Sequence, residues 1–364
     1  MQARPQEKPP VGIIFDSDIG NDIDDVLALA LLKGFEGAEQ PEVRLISVSV
    51  TKSNLKAAAF CDAAARFFSA IADRDTPPRF RRSRSLPVGF TDDGMSPEDM
   101  PLLTVPLAKR DASGEPAYPH GIKKLNDTAE PLALIRNAFT AQHDQNAVVL
   151  LAGRATNLAR VLDLPGTREL ISSKVRFLVM AGGAFPEGGP EPAIQADLAA
   201  AQKLFADWPT PIVAAGTEIG ADVLYPASSI ANDFGWAENH PIVDAYKAYR
   251  PMPYDAPSTA MAAALYAVRP EAGYFRLSEP GVIRVSSDGK THFSEAADGR
   301  HRYLIADPAQ KEAILEICTK TVSAMPAPRE LPNFLKRLIE EEKKKEEEKK
   351  LLELQQKEAK PPEP

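Results

Sequence analysis

Two cysteines, Cys61 and Cys318, among 364 residues are too few for a disulfide framework or a cysteine-ligated metal. The histidines are His120, His143, His240, His292 and His301; they lack metal-ligand spacing and read as surface or core residues. Positive charge is also short. A net charge of -8 repels the phosphates of nucleic acid and of an anionic membrane, so neither is expected as a partner. No apolar run is long enough to span a bilayer. The opening MQARPQEKPP lacks the apolar centre of a secretory leader, which points to the cytoplasm, although a chain trimmed of its leader would read alike. With no Gly-x-Gly-x-x-Gly and no Walker loop, dinucleotide and nucleoside-triphosphate readings have no anchor.

What the chain has in excess is carboxylate, in one place. GIIFDSDIGNDIDDVLALALL, residues 12–32, sets Asp16, Asp18, Asp22, Asp24 and Asp25 within ten positions, directly after an apolar run. Mutual repulsion makes that costly unless something cationic sits among them. A single Asp ahead of a helix is usually a cap. Five exceed what a helix N-terminus offsets, roughly 0.3–1 kcal/mol per group, and such crowding at a strand end marks functional sites. A hard divalent ion would balance them; calcium takes about six to eight oxygen ligands. An EF-hand loop does not fit, because its Gly and Glu positions hold Asn21 and Leu27. An Asp-x-Asp phosphotransferase of the haloacid dehalogenase type fits poorly as well, with Gly20 where Thr or Val is usual.

Around this cluster the pattern alternates. Strands are predicted at 11–15, 43–50, 147–153, 175–183 and 211–216, and helices at 26–35, 54–71, 259–270 and 307–325. Strand–helix alternation implies right-handed βαβ units on a mostly parallel, Rossmann-like α/β sheet flanked by helices. Residues 281–295 read as a hairpin turning at Asp288-Gly289. The Pro- and Gly-rich stretch 73–130 reads as a long surface excursion, its basic RFRRSRS (79–85) a solvated loop. Three parts are expected: a disordered lead-in at 1–10, one α/β domain over 11–325, and a charged helical tail over 330–364 with a disordered end. Opposite charges at Glu341/Lys345 and Glu346/Lys350 support the tail helix, and its sparse apolar positions argue against a coiled coil.

FDSDIGNDIDDVLAL resembles the opening of the inosine-uridine-preferring nucleoside hydrolase family, Asp-x-Asp-x-Gly-x-Asp-Asp-x-x-Ala-Leu, in a longer form with two extra residues before the paired aspartates. SVTKSN, GRATNLARVL, VMAGGAF and ALYAVRP resemble further family segments in order, from about Val11 to Leu304. The resemblance implies the nucleoside hydrolase fold, a calcium ion, hydrolysis of an N-ribosyl bond in a small-molecule nucleoside or riboside, and room for a homo-oligomer. It also implies roles. Asp18 would ligate the ion and act as general base for a water, Asp25 would be a second ligand, and Thr156 would offer its main-chain oxygen. Asp24, Asn54 and Glu191 would contact substrate; Asp16 is the first Asp of the motif, and Asp22 has no counterpart. The chemistry is coherent, because carboxylates stabilise an oxocarbenium-like state and a metal acidifies bound water. There are two departures. Ala193 stands where the family carries a sugar-holding Asn, and Ala260, after Thr259, where it carries a calcium-ligating Asp; Asp255 is nearby but out of register. Two expectations follow: a metal-dependent N-ribosyl hydrolase, or a member that binds a sugar, a nucleoside or a partner without turnover.

Overall fold

The computed structural model describes residues 9–81, 85–186 and 188–358. The strands are β1 (Val11–Ser17), β2 (Val43–Val50), β3 (Val88–Phe90), β4 (Ala147–Ala152), β5 (Val175–Ala181), β6 (Ile212–Ala215), β7 (Leu224–Tyr225), β8 (Ala256–Pro257), β9 (Arg276–Leu277), β10 (Gly281–Val285), β11 (Thr291–Glu295) and β12 (His301–Ile305). Ten of them form one sheet in the order β11-β10-β12-β6-β5-β4-β1-β2-β3, with β9 beside β12 and a separate β7–β8 ribbon. From β3 across to β12 every neighbouring pair is parallel; β9 and the β10–β11 hairpin supply the antiparallel pairs. The mostly parallel sheet flanked by helices is therefore observed.

Helices cover both faces, which is why the inner strands are apolar throughout rather than alternating. Ile13, Ile14 and Phe15 in β1 and Val148, Val149 and Leu150 in β4 have no exposed surface. One face packs under α1 (Asp24–Glu36), α2 (Leu55–Ala72) and the helix Thr259–Val268. The last is rich in alanine and buried along its whole length, so it lies close against α1. The other face is closed by Phe139, Leu158, Leu204 and Trp208. No helix among the described residues is long and apolar enough to cross a membrane.

Three expectations need correction. β1 runs to Ser17, because β2 and β4 pair with it on both sides; Asp16 lies inside the strand, opposite Ser49 and Leu151. Residues 73–130 are not all surface. They contribute β3 and the helix Pro101–Ala108, whose Leu102 and Leu103 are buried, and three-residue β3 is too short to show a period. β12 and the helices Ala227–Asn232 and Pro241–Tyr249 also went unanticipated. Beyond the sheet, Asn333–Glu358 forms a helix with Phe334 and Leu338 exposed. Residues 1–8, 82–84 and 359–364, and the side chains of Glu346 and Lys350, lie outside the described residues.

The sheet's winding reverses between β1 and β4, with β2 and β3 on one side and β5 and β6 on the other. Connections leave that point in opposite directions and open a crevice at the carboxyl ends of the strands. The aspartates follow β1 directly.

Candidate functional site in the crevice beyond β1 and β4

Close backbone contacts build the floor of the crevice. Asp18 N donates to Ala152 O (2.9 Å) at the end of β4, and Thr51 N to Ser17 O (2.9 Å) beyond β2. Gly153 has φ +143°, and a Cβ there would stand 2.6 Å from Asp18 N, so a side chain would push the two strand ends apart. The Ser17 hydroxyl accepts from Ile19 N (2.9 Å) and donates to Asp25 Oδ2 (2.7 Å), folding the loop onto the first turn of α1. Asp22 Oδ1 accepts from Asp24 N (2.9 Å) and satisfies one of that turn's free donors.

The five carboxylates stand in different surroundings. Asp16 is fully buried; its Oδ1 accepts from Asn157 Nδ2 (2.9 Å), while its Oδ2 has no partner among the described residues. Burial raises it to about 7, against the pull of Asn157 and Arg154. Burial also raises Asp18, against hydrogen bonds from Asn21 and Asp25. Asn21 Nδ2 donates to Asp18 Oδ2 (2.8 Å) and its Oδ1 accepts from Lys52 Nζ (3.0 Å), so a buried ammonium reaches Asp18 through one amide. Asp22 is exposed at the rim, yet the protein around it and the Asp18 charge raise it to about 6. Asp25 is raised well above the usual range by burial and then by the Asp18, Asp22 and Asp24 charges.

Asp24 is the unexpected one. Its Oδ2 accepts from Ala260 N (2.6 Å) and its Oδ1 from Met261 N (3.1 Å), so it caps the helix Thr259–Val268 from another part of the chain. Burial first and Asp22 second raise it to about 8, despite those bonds.

Of the other expected site residues, Glu191 lies close enough for the Asp18 and Asp22 charges to raise it after burial. Its carboxylate caps the helix Pro192–Ala196, accepting from Ala193 N (3.2 Å) and Ile194 N (2.8 Å). Asn54 caps α2, and its amide donates to Pro97 O and Asp99 Oδ1, both at 2.9 Å. Thr156 opens the helix after β4, its hydroxyl donating to Asp197 Oδ2 (2.6 Å). Asp255 accepts from Ala227 N (2.8 Å). Sequence reasoning passed over Asn21, Lys52, Arg154 and Asn157. All four lie inside the motif segments, but only the fold brings them to the aspartates. Arg154 itself binds both Asp93 oxygens (2.9 and 3.1 Å) and Thr51 O (2.5 Å) beside the cluster.

A profile of the inosine-uridine preferring nucleoside hydrolases matches residues 13–321. The chain belongs to this family. A plant nucleoside hydrolase, PpNRh1, superposes with a TM-score of 0.59 at 19% identity, over 87% of this chain and 100% of that one. The purine-preferring ribonucleoside hydrolase of Gardnerella vaginalis gives 0.59 at 17%, over 86% and 99%. The type III effector XopQ, in complex with adenosine diphosphate ribose, gives 0.60 at 13%, over 88% and 96%. At such identities the likeness is one of fold. No curated protein sequence matches the chain.

Calcium wants several converging oxygen atoms. Oxygen is the right donor type here, but the set does not close. Among the described residues no three His, Cys, Asp or Glu side chains are grouped to hold a metal. Asp24 is turned to the helix Thr259–Val268, Asp25 Oδ2 to Ser17 and Asp18 Oδ2 to Asn21, and Ala260 adds no side-chain oxygen. As arranged, these residues do not fit the ion.

Proposed function

We propose that the crevice binds the ribosyl part of a nucleoside or related riboside, with little or no hydrolysis. The observation that carries this reading is the contact between Asp24 and the backbone of Ala260 and Met261. A carboxylate expected at the sugar serves as the cap of a helix that itself offers no carboxylate. Ala193 likewise brings no side-chain group to a sugar hydroxyl. Asp18 and Asp22 remain as acceptors for vicinal hydroxyls, which suits ribose. A neighbour of the same fold holding adenosine diphosphate ribose agrees with a ribosyl ligand.

A second reading rests on Asp18. Its Oδ2 is held by Asn21, and burial raises its affinity for a proton. A carboxylate so placed can take a proton from a water attacking the anomeric carbon. Calorimetric titration with ribose, inosine, adenosine and uridine, beside a reducing-sugar assay, separates the two. Binding without sugar release, weakened about tenfold or more by Asp18→Ala, is the expected result. Release that Asp18→Asn abolishes would establish the hydrolase, and no binding of any riboside would refute both.

A further inference from the structure

Crowded carboxylates need a cation nearby, and the chain supplies one itself. Lys52 follows β2 directly, at the carboxyl end of the sheet and beside the end of β1. Its side chain is 1% exposed. Nζ donates to Asn21 Oδ1 (3.0 Å) and to Ser96 O (2.8 Å), both neutral acceptors. Its carboxylate neighbour among the described residues is Glu98, at 3.8 Å and largely exposed. The ammonium is therefore not neutralised at close range, and its charge acts on the crevice. The charges of Glu98, Asp18 and Asp99 favour the ammonium against burial, so Asp18 lies within its electrostatic reach.

Asn21 carries that charge to Asp18. An ammonium only donates, so the Asn21 oxygen must face Lys52 and its amino group must face Asp18, whose Oδ2 accepts at 2.8 Å. An amide polarised in this way is a stronger donor than one standing alone. Two features mark the arrangement as built. The stretch between Gly20 and Asp24, which holds Asn21, is two residues longer than in the shorter form of the motif. Ser96, whose carbonyl Lys52 binds, has φ +51°, a costly conformation outside glycine that is kept where the surroundings impose it. The other buried carboxylates have donors of a different kind: Asn157 for Asp16, two backbone N–H groups for Asp24 and the Ser17 hydroxyl for Asp25. Among the described residues, the donor to Asp18 is the one with an ammonium directly behind it.

We propose that Lys52 stands in for the metal: acting through Asn21, it is the positioning residue that fixes Asp18 for a ribosyl hydroxyl, and riboside binding is independent of calcium. The inference rests on the riboside reading above. It accounts for the disagreement between the donor set and the ion. A calcium ion at Asp18 would compete with Asn21 for Oδ2 and would meet the like charge of Lys52 one amide away.

The test is calorimetric titration of the full chain with inosine and with ribose, in EGTA and in calcium. The wild type is expected to bind each ligand equally well in the two buffers. Lys52→Ala is expected to weaken both ligands about tenfold or more, the usual scale for a lost charge-assisted bond. Propylammonium, which refills the vacated space with a charge, is expected to restore the affinity; 1-propanol, of similar size and uncharged, is not. That pair separates a positioning charge from packing. Asn21→Ala is expected to weaken binding on the same scale with Lys52 in place, and together with the calcium comparison it decides the matter if Lys52→Ala does not fold. Binding that needs calcium, that survives Lys52→Ala or Asn21→Ala, or whose loss propylammonium repairs no better than propanol, overturns this inference and leaves the riboside reading standing. Absence of wild-type binding of either ligand in either buffer overturns both.

Discussion

Placing a carboxylate at residue 260 tests whether the side chain missing there is what keeps the aspartates, as arranged, from fitting calcium. Ala260 is buried in the first turn of its helix, and its N–H already rests on Asp24. An aspartate there gains roughly 0.3–1 kcal/mol from the helix dipole. Above about pH 8, where Asp24 is ionised, it also adds a like charge beside it, and at about 5 Å with an effective dielectric near 20 that repulsion is about 3 kcal/mol. Metal-free Ala260→Asp should therefore melt lower than the wild type at pH 8.5 by roughly 3–4 °C, at about 1.3 °C per kcal/mol for a chain of this length. Calcium at about 100 times its dissociation constant returns about 2.7 kcal/mol, which recovers most of the loss. The effect has a definite pH sense. Asp24 has a folded-state pKa raised to about 8, so the folded chain binds more protons than the unfolded one. Its stabilising contribution is complete below the ordinary carboxylate range and is lost as pH rises through about 8. Calcium should then matter more at pH 8.5 than at pH 6, because protons neutralise the cluster at the lower pH. Differential scanning calorimetry of both proteins, with EGTA or calcium at the two pH values, measures all of this. A folded Ala260→Asp whose melting point calcium leaves unmoved at both pH values would refute the reasoning. A wild-type shift as large as the variant's would refute it equally.

Two further expectations concern stability away from the site. His240 is buried among Phe67, Phe68, Phe234 and Trp236, neither ring nitrogen has a hydrogen-bond partner among the described residues, and burial lowers it to about 3. Its folded pKa lies below the unfolded value, so its neutral form supports the fold above about pH 6.5 and the chain loses stability as pH falls toward 3, by roughly 2 kcal/mol at pH 5. His240→Phe should remove that loss in denaturant titrations at pH 5 and 8; an unchanged acid loss would show that the imidazole is not its source. Removing residues 336–364 should shift stability by less than about 1 kcal/mol, since exposed ion pairs such as Lys336–Glu330 contribute little. Collapse of soluble expression on that truncation would show instead that the tail helix packs or assembles.

The architecture, and where the aspartates fall on it, were legible in local pattern. A buried parallel strand leaves an unbroken apolar run, and a crowd of aspartates straight after the first such run falls at a strand's carboxyl end whatever the rest of the chain does. The hairpin at Asp288-Gly289 was readable for the same reason, since its Gly289 has the positive φ that the turn needs. What each carboxylate does was not readable, because its partners come from elsewhere in the chain. Asp24 meets backbone N–H groups 236 and 237 positions away, and a backbone donor leaves no mark on residue type. Lys52 reaches Asp18 only through Asn21, across 31 positions. β3 is recruited by its pairing with β2 rather than by any period of its own. Local pattern decides which segments are buried; which polar atoms are satisfied, and by what, is decided only when the distant segments meet.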